Sequence, residues 1–215
     1  LQTHIHTLNP SALWSTLFTS YPDIQIISYT DTQFPVLLRE IPDAPVLLYV
    51  RGAYRWQECR PMITIVGTRR PSLYGRQMAQ DFSRQLSQAG FVVVSGLAFG
   101  VDSIAHQTVL ESGGLTLAVI GSGVDNASIS PQSHLTLAQN IMKNGGAVIS
   151  ELAPGTKAAV HTFPSRNRIM AGMSPATLVI EASEQSGTLI TARLAVEYNR
   201  DVFAIPGSIF SGGSV

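Results

Sequence analysis

The sequence predicts a doubly wound α/β fold, built on a mostly parallel sheet, with a small N-terminal appendage. Three observations carry this. From residue 62 onward, short apolar runs alternate regularly with stretches of helical periodicity, the pattern of right-handed crossovers onto a parallel sheet. Runs such as Phe91-Val92-Val93-Val94 are apolar throughout, as strands buried on both faces are. Each run ends in Gly, Ser, Thr or acidic residues, the composition of loops at the ligand-binding edge of such sheets.

In chain order, residues 1–60 form the appendage, expected as short helices and strands packing on a main domain of residues 61–215. Asn9-Pro10-Ser11 is expected to cap a short helix through Phe18. A strand is expected over 24–27, a short helix or turn over 34–41, and a strand over 46–50 ended by Arg51-Gly52. Pro22, Pro35, Pro42 and Pro45 break this region into small pieces. His4 and His6, without further ligands nearby, read as surface histidines. In the main domain, strands are expected at 63–67, 91–95, 116–121, 147–150, 177–182 and 202–205. Helices are expected at 74–89, 100–113, 133–144, 166–173 and 187–199. Met78, Phe82, Leu86 and Ala89 share one face of the first of these.

Composition bounds the function. The 215 residues are 45% hydrophobic and 13% charged, with no net charge, so no global field draws a polyanion. Basic residues are nearly all Arg, leaving only Lys143 and Lys157. Arg favours bidentate phosphate contacts and stacking. One cysteine, Cys59, excludes a disulfide framework or a cysteine zinc site. No apolar run approaches the roughly 18 residues of a membrane span, and no signal peptide is visible. A cytoplasmic protein without metal or cofactor is expected. The first residue is Leu rather than Met, as in a fragment.

The candidate site gathers at the strand ends. Ile63-Thr64-Ile65-Val66 is followed by Gly67, Thr68, Arg69 and Arg70, then Pro71 and Ser72 at a helix start. Backbone N–H groups, the helix dipole and two guanidinium groups converge there, which suits an anion and above all a phosphate. The next strand ends in Ser95 and Gly96, with Asp102 and His106 four apart on the following helix. A structural role, Asp102 near the helix start and His106 bonded to it or to backbone, is expected rather than a triad with Ser95. Later come Ser186, Gly187 and Thr188, again small and hydroxyl-bearing. Pro164-Ser165 opens a helix whose first turn carries Arg166, Asn167 and Arg168. Cations there oppose the dipole, which points to anion binding; the alternative is pairing with Glu151 or Glu181. Phe163 either stacks on a base or belongs to the core. The dinucleotide fingerprint fails, since Asn126 stands where a third glycine belongs after Gly121 and Gly123. There is no Walker A sequence and no nucleophile elbow.

Several stretches together resemble the DprA/Smf family, the DNA processing proteins A or DNA recombination-mediator proteins. They are Ile65-Val-Gly-Thr-Arg-Arg-Pro-Ser-Leu-Tyr-Gly75, Ser95-Gly-Leu-Ala-Phe-Gly-Val-Asp-Ser-Ile-Ala-His106, Phe163-Pro-Ser-Arg-Asn-Arg-Ile-Met-Ala-Gly-Met-Ser174, Glu181-Ala-Ser-Glu-Gln-Ser-Gly-Thr-Leu-Ile-Thr-Ala192 and Val202-Phe-Ala-Ile-Pro-Gly207. Phe34-Pro-Val-Leu-Leu-Arg-Glu-Ile-Pro-Asp43 adds to them. The resemblance implies an extended Rossmann-like domain that binds single-stranded DNA. It implies a role in natural transformation, protecting incoming strands and loading RecA, and a homodimer. Its phosphate pocket maps onto Gly67, Thr68, Arg69, Ser95, Gly96, Arg166, Asn167, Gly187 and Thr188. Phe99 departs from the family, which usually has Arg there. Ser130-Pro131-Gln-Ser-His134 departs from its Tyr-Pro-x-x-Asn. The family's helical N-terminal domain is expected to be reduced to a tail, and its C-terminal winged-helix-like domain to be missing.

Two other functions compete. Ser186-Gly187-Thr188 is also similar to the Gly-Gly-x-Gly-Thr-x-x-Glu motif of nucleotide phosphoribohydrolases related to lysine-decarboxylase-like proteins. Thr191 stands where that motif has its Glu, so the acid–base role is unfilled and no enzyme is expected. A nucleotide-binding sensor using the same phosphate cradle is the other alternative.

Overall fold

The computed structural model describes residues 19–183 and 186–207. The helix expected before Phe18, His4 and His6, and residues 184–185 lie outside this range. Eight strands form one sheet in the order β1-β2-β6-β5-β4-β3-β7-β8. β1 (Ile24–Ser28) and β2 (Leu47–Gly52) pair antiparallel, with α1 (Val36–Arg39) between them. β2 pairs antiparallel with β6 (Ala147–Ser150), so residues 19–60 extend the main sheet at one edge. The other six strands are parallel: β3 (Met62–Val66), β4 (Val92–Ser95), β5 (Thr116–Val119), β6, β7 (Ala176–Val179) and β8 (Asp201–Ala204).

Five helices connect the parallel strands: α2 (Leu73–Gln88), α3 (Val101–Glu111), α4 (Leu135–Lys143), α5 (Thr162–Met173) and α6 (Gly187–Glu197). One face of the sheet packs against α2, α3 and α4, through Ala79, Ala105, Val109 and Ile141. The other packs against α1, α5 and α6, through Leu38, Ile169, Met170 and Ala192. All of β4, β5 and β6 is buried, as their mostly apolar sequences, each with one hydroxyl residue at an end, suit. Among the described residues no helix is long and apolar enough to cross a membrane.

α5 differs from expectation. It begins at Thr162, four residues early, because Pro164 falls within the first turn, where its missing N–H costs no helical bond. Arg166, Asn167 and Arg168 therefore lie in the second turn, beyond the strongest part of the dipole. Inside the sheet, the Thr64 hydroxyl donates to Met170 O at 2.8 Å and lies 2.9 Å from Ser174 Oγ, joining β3 to α5.

Strand order fixes where a ligand can sit. From β3 the chain winds outward through β4, β5 and β6. It then crosses back by α5 to β7, on the other side of β3. A crevice opens where the winding reverses, beyond the carboxyl ends of β3 and β7.

Candidate functional site

That crevice is a cleft of about 540 Å³. Three segments line it: the loop after β3 with Gly67, Thr68 and Arg69; the N-terminal half of α5 with Phe163, Arg166 and Asn167; and the start of α6 with Ser186, Gly187, Thr188 and Thr191. Ala98 and Asp102 add a fourth wall.

Local hydrogen bonds hold each wall. Thr68 N–H donates to Glu181 O at 2.7 Å, fastening the β3 loop to the end of β7. Val101 N–H donates to Thr68 O at 3.2 Å, and Gly100 (φ 77°) passes so close to Thr68 O that a Cβ would collide with it. Ser186 caps α6, its hydroxyl accepting from Thr188 N–H at 3.2 Å. Asn167 Nδ2 donates to Gly187 O at 3.3 Å, tying α5 to α6. At Gly187 a Cβ would meet nothing within 4 Å, so this helix N-terminus faces open cleft.

The charged groups sort by depth. Arg69 is exposed, its guanidinium carbon 5.4 Å from the Phe163 ring centroid. This cation–π contact presents a charged plane and an aromatic face at the mouth. Arg166 is only 6% exposed. Its Nη1 donates to Gly96 O at 2.6 Å and to Val119 O, the end of β5. Burial, opposed by Asp102 and aided by Arg69, brings the Arg166 pKa down to about 10. Asp102 accepts from Ala98 N–H at 3.3 Å. Burial raises its pKa, while Arg166 and these hydrogen bonds pull it down. Gly96 fits between the two: a Cβ would come 2.6 Å from Asp102 Oδ2 and would strike Arg166 Nη1.

Of the residues expected from sequence, Gly67, Thr68, Arg69, Phe163, Arg166, Asn167, Ser186, Gly187 and Thr188 meet in the cleft. Ser95 and Gly96 stand behind it, the Ser95 hydroxyl donating to Ile65 O at 2.7 Å. Arg70 is exposed to one side, and its N–H donates to Thr68 Oγ1 at 3.2 Å. Arg168 does not join Arg69 and Arg166. It leaves α5 in another direction, paired with Glu151 and, at 3.5 Å, with Asp43. The anion site expected at the start of α2 is filled internally: Glu181 accepts from Ser72 N–H at 3.1 Å and from the Ser72 hydroxyl at 2.9 Å. Asp102 and His106 are not paired. The Thr116 hydroxyl donates to Val93 O at 2.7 Å, so His106 Nδ1 carries its proton and donates to Thr116 Oγ1 at 2.6 Å. Burial lowers the His106 pKa to about 3, with Arg166 and His134 adding to the shift.

Sequence reasoning missed the cleft-lining role of Asp102, Val160 and Ile190. Asp102 has a local signal, a carboxylate in the first turn of a helix that follows a strand end. Val160 and Ile190 have none, being ordinary apolar residues. The two departures Phe99 and His134 meet, ring centroids 4.8 Å apart and edge to face, with His134 Nδ1 donating to Leu97 O at 2.8 Å.

Comparisons with known proteins show the family and the fold. The chain is 41% identical over 195 residues to DNA processing protein DprA of Streptococcus pneumoniae, covering 91% of this chain and 66% of that protein. It is 43% identical over 187 residues to protein Smf of a Synechocystis strain, covering 86% of this chain and 46% of that protein. The chain thus spans about half to two thirds of the length of these relatives. A crystal structure of the S. pneumoniae protein superposes with a TM-score of 0.84 at 38% identity, covering 95% of this chain and 70% of that one. A structure of DNA processing protein A from Helicobacter pylori, described for its single-stranded DNA binding mode, superposes with a TM-score of 0.78 at 29% identity, covering 88% and 84%. The family model for DNA recombination-mediator protein A matches residues 25–214, and to that family this chain belongs.

Proposed function

We propose that the chain binds single-stranded DNA, with backbone phosphates in the cleft between β3 and β7. Arg69 and Arg166 supply charge, Gly187 supplies a helix N-terminal N–H, and Thr188 supplies its hydroxyl. We infer further that it is a recombination mediator of natural transformation. In that role it acts in the cytoplasm as a homodimer, shielding incoming strands and loading RecA on them. Arg70, Ser95, Gly96 and Arg168 belong to this reading as supports of the cleft or flanking contacts. The observation that carries it is the open N-terminus of α6 facing Arg69 across a cleft at the topological switch point. Backbone N–H groups and guanidinium groups recognise phosphates without regard to sequence, and the Phe163 face offers a platform for any base. The family's name and the H. pylori relative point the same way.

A hydrolytic reading finds less support. Thr191 is buried where the hydrolase motif has Glu. Asp102 is the one carboxylate among the described residues lining the cleft, and it is engaged by Ala98 N–H. The test is competition: labelled oligo-dT bound to the chain, challenged with unlabelled single strand, duplex of equal length and nucleoside monophosphate. Displacement by single strand alone is expected. Equal displacement by duplex, or release of free base from the monophosphate, overturns the reading.

A further inference from the structure

A second cavity, of about 240 Å³, lies beyond the carboxyl ends of β5 and β6, on the far side of the start of α5. Ile120, Leu152 and Ile169 give it apolar walls, and Glu151 and Arg168 a polar edge. Arg166 borders both this cavity and the first cleft, so the two sites share one side chain. Two guanidinium nitrogens here are buried without a hydrogen-bond partner: Nε of Arg166, a residue 6% exposed, and Nη1 of Arg168. A buried charged donor without an acceptor is costly, and a ligand that supplies the acceptor recovers that cost. A lone phosphate is a poor match, since apolar walls cannot replace its hydration. A flat ring with polar edges suits apolar walls and a few convergent polar groups.

We propose that this second cavity takes one nucleobase of the strand whose backbone occupies the first cleft. The ring lies among Ile120, Leu152 and Ile169. An edge acceptor, a carbonyl oxygen or ring nitrogen, receives Arg168 Nη1–H. The neighbouring edge N–H donates to Glu151. Every base carries an acceptor beside a donor on its pairing edge, so the pocket holds a base without choosing among them. Arg166, between the two cavities, sets the spacing of phosphate and base. This inference rests on the reading of the chain as a single-strand binder.

The test compares labelled oligo-dT with an oligonucleotide of the same length carrying abasic tetrahydrofuran residues throughout. The wild-type chain is expected to bind the abasic strand about tenfold more weakly, the loss of hydrogen bonds to charged groups. Leu152→Trp fills the cavity, and Glu151→Ala removes the acceptor while Arg168 keeps Asp43. In each variant the preference for oligo-dT over the abasic strand should shrink severalfold, with abasic binding unchanged. Because Glu151→Ala leaves the walls intact, it decides the matter if Leu152→Trp does not fold. Folded variants that keep the full wild-type preference overturn the base pocket. Equal binding of both strands by the wild type does so too, while leaving the single-strand reading in place. Failure of the wild type to bind either strand overturns both readings together.

Discussion

The carboxylate of Glu181, at the end of β7, caps the N-terminus of α2 by accepting both the N–H and the hydroxyl of Ser72, at 3.1 and 2.9 Å. The two strands that flank the switch point are thereby joined above the sheet, as they also are by Thr68 N–H and Glu181 O. A charged cap offsets the helix dipole and satisfies orphan donors. Glu181→Ala is expected to cost about 1 kcal/mol of stability, read as a lower midpoint in urea unfolding. An unchanged midpoint would remove the carboxylate from the helix's support.

Arg69 tests the electrostatic part of the reading. Its replacement by Ala should weaken binding of all single strands alike and make the salt slope of log K shallower by about 0.7, the contribution of one phosphate contact. Arg69→Lys should restore only part of the affinity, because the planar fork over Phe163 is lost. Arg84 on α2, paired with Asp81 at 3.4 Å, is the control, and Arg84→Ala should leave both affinity and slope alone. Equal effects at positions 69 and 84, measured by fluorescence anisotropy across a salt series, would move the phosphate path elsewhere.

Two glycines should respond in opposite ways. Gly96→Ala pushes a methyl group into Arg166 and Asp102, two buried charged groups with little room to retreat. A loss of about 1–3 kcal/mol in stability is expected. Gly187→Ala meets no atom within 4 Å and should leave stability nearly unchanged. Gly187→Asp should also fold, yet lose DNA binding by placing a carboxylate among the phosphates. Circular dichroism melts beside binding curves for the three variants separate these outcomes.

His106 gives a pH signature. Its folded pKa lies near 3, below its ordinary value of 6.5, so the unfolded chain takes up the proton first. The stability this provides is complete above about pH 6.5 and is lost as pH falls towards 3, by at most about 1.4 kcal/mol per pH unit. Asp102, whose pKa is raised, contributes in the opposite sense, losing stability as pH rises through its folded pKa. Unfolding midpoints from pH 7 to 4 should therefore fall more steeply for the wild type than for His106→Leu. Parallel curves would show that His106 titrates alike in both states.

Much of this was legible in the sequence, for identifiable reasons. Phe91-Val92-Val93-Val94 declares a buried strand, because few other environments accept four adjacent apolar side chains. Glycine and hydroxyl residues at successive strand ends mark the binding edge, because backbone approach and phosphate donors both require them. Pairings between distant residues were not legible. Glu181 reaches Ser72 across 109 positions, and no local pattern announces it. Arg166 and Arg168 read alike in sequence, but two positions on a helix differ by about 200° in direction. One faces Gly96 and the other Glu151. His106 bonds Thr116, on the neighbouring strand, because a fully buried ring takes whichever partner the sheet presents.

The Thr64 hydroxyl, bound to Met170 O and Ser174 Oγ, has a consequence for how the cleft meets its ligand. β3 delivers Arg69 and α5 delivers Arg166, and the bolt between those two elements lies under the floor of the cleft, away from solvent. The segments that carry Arg69 and Arg166 are therefore tied to each other at their base. Little conformational entropy is left for a strand to remove when it enters, so the ordering on binding falls mainly on the DNA.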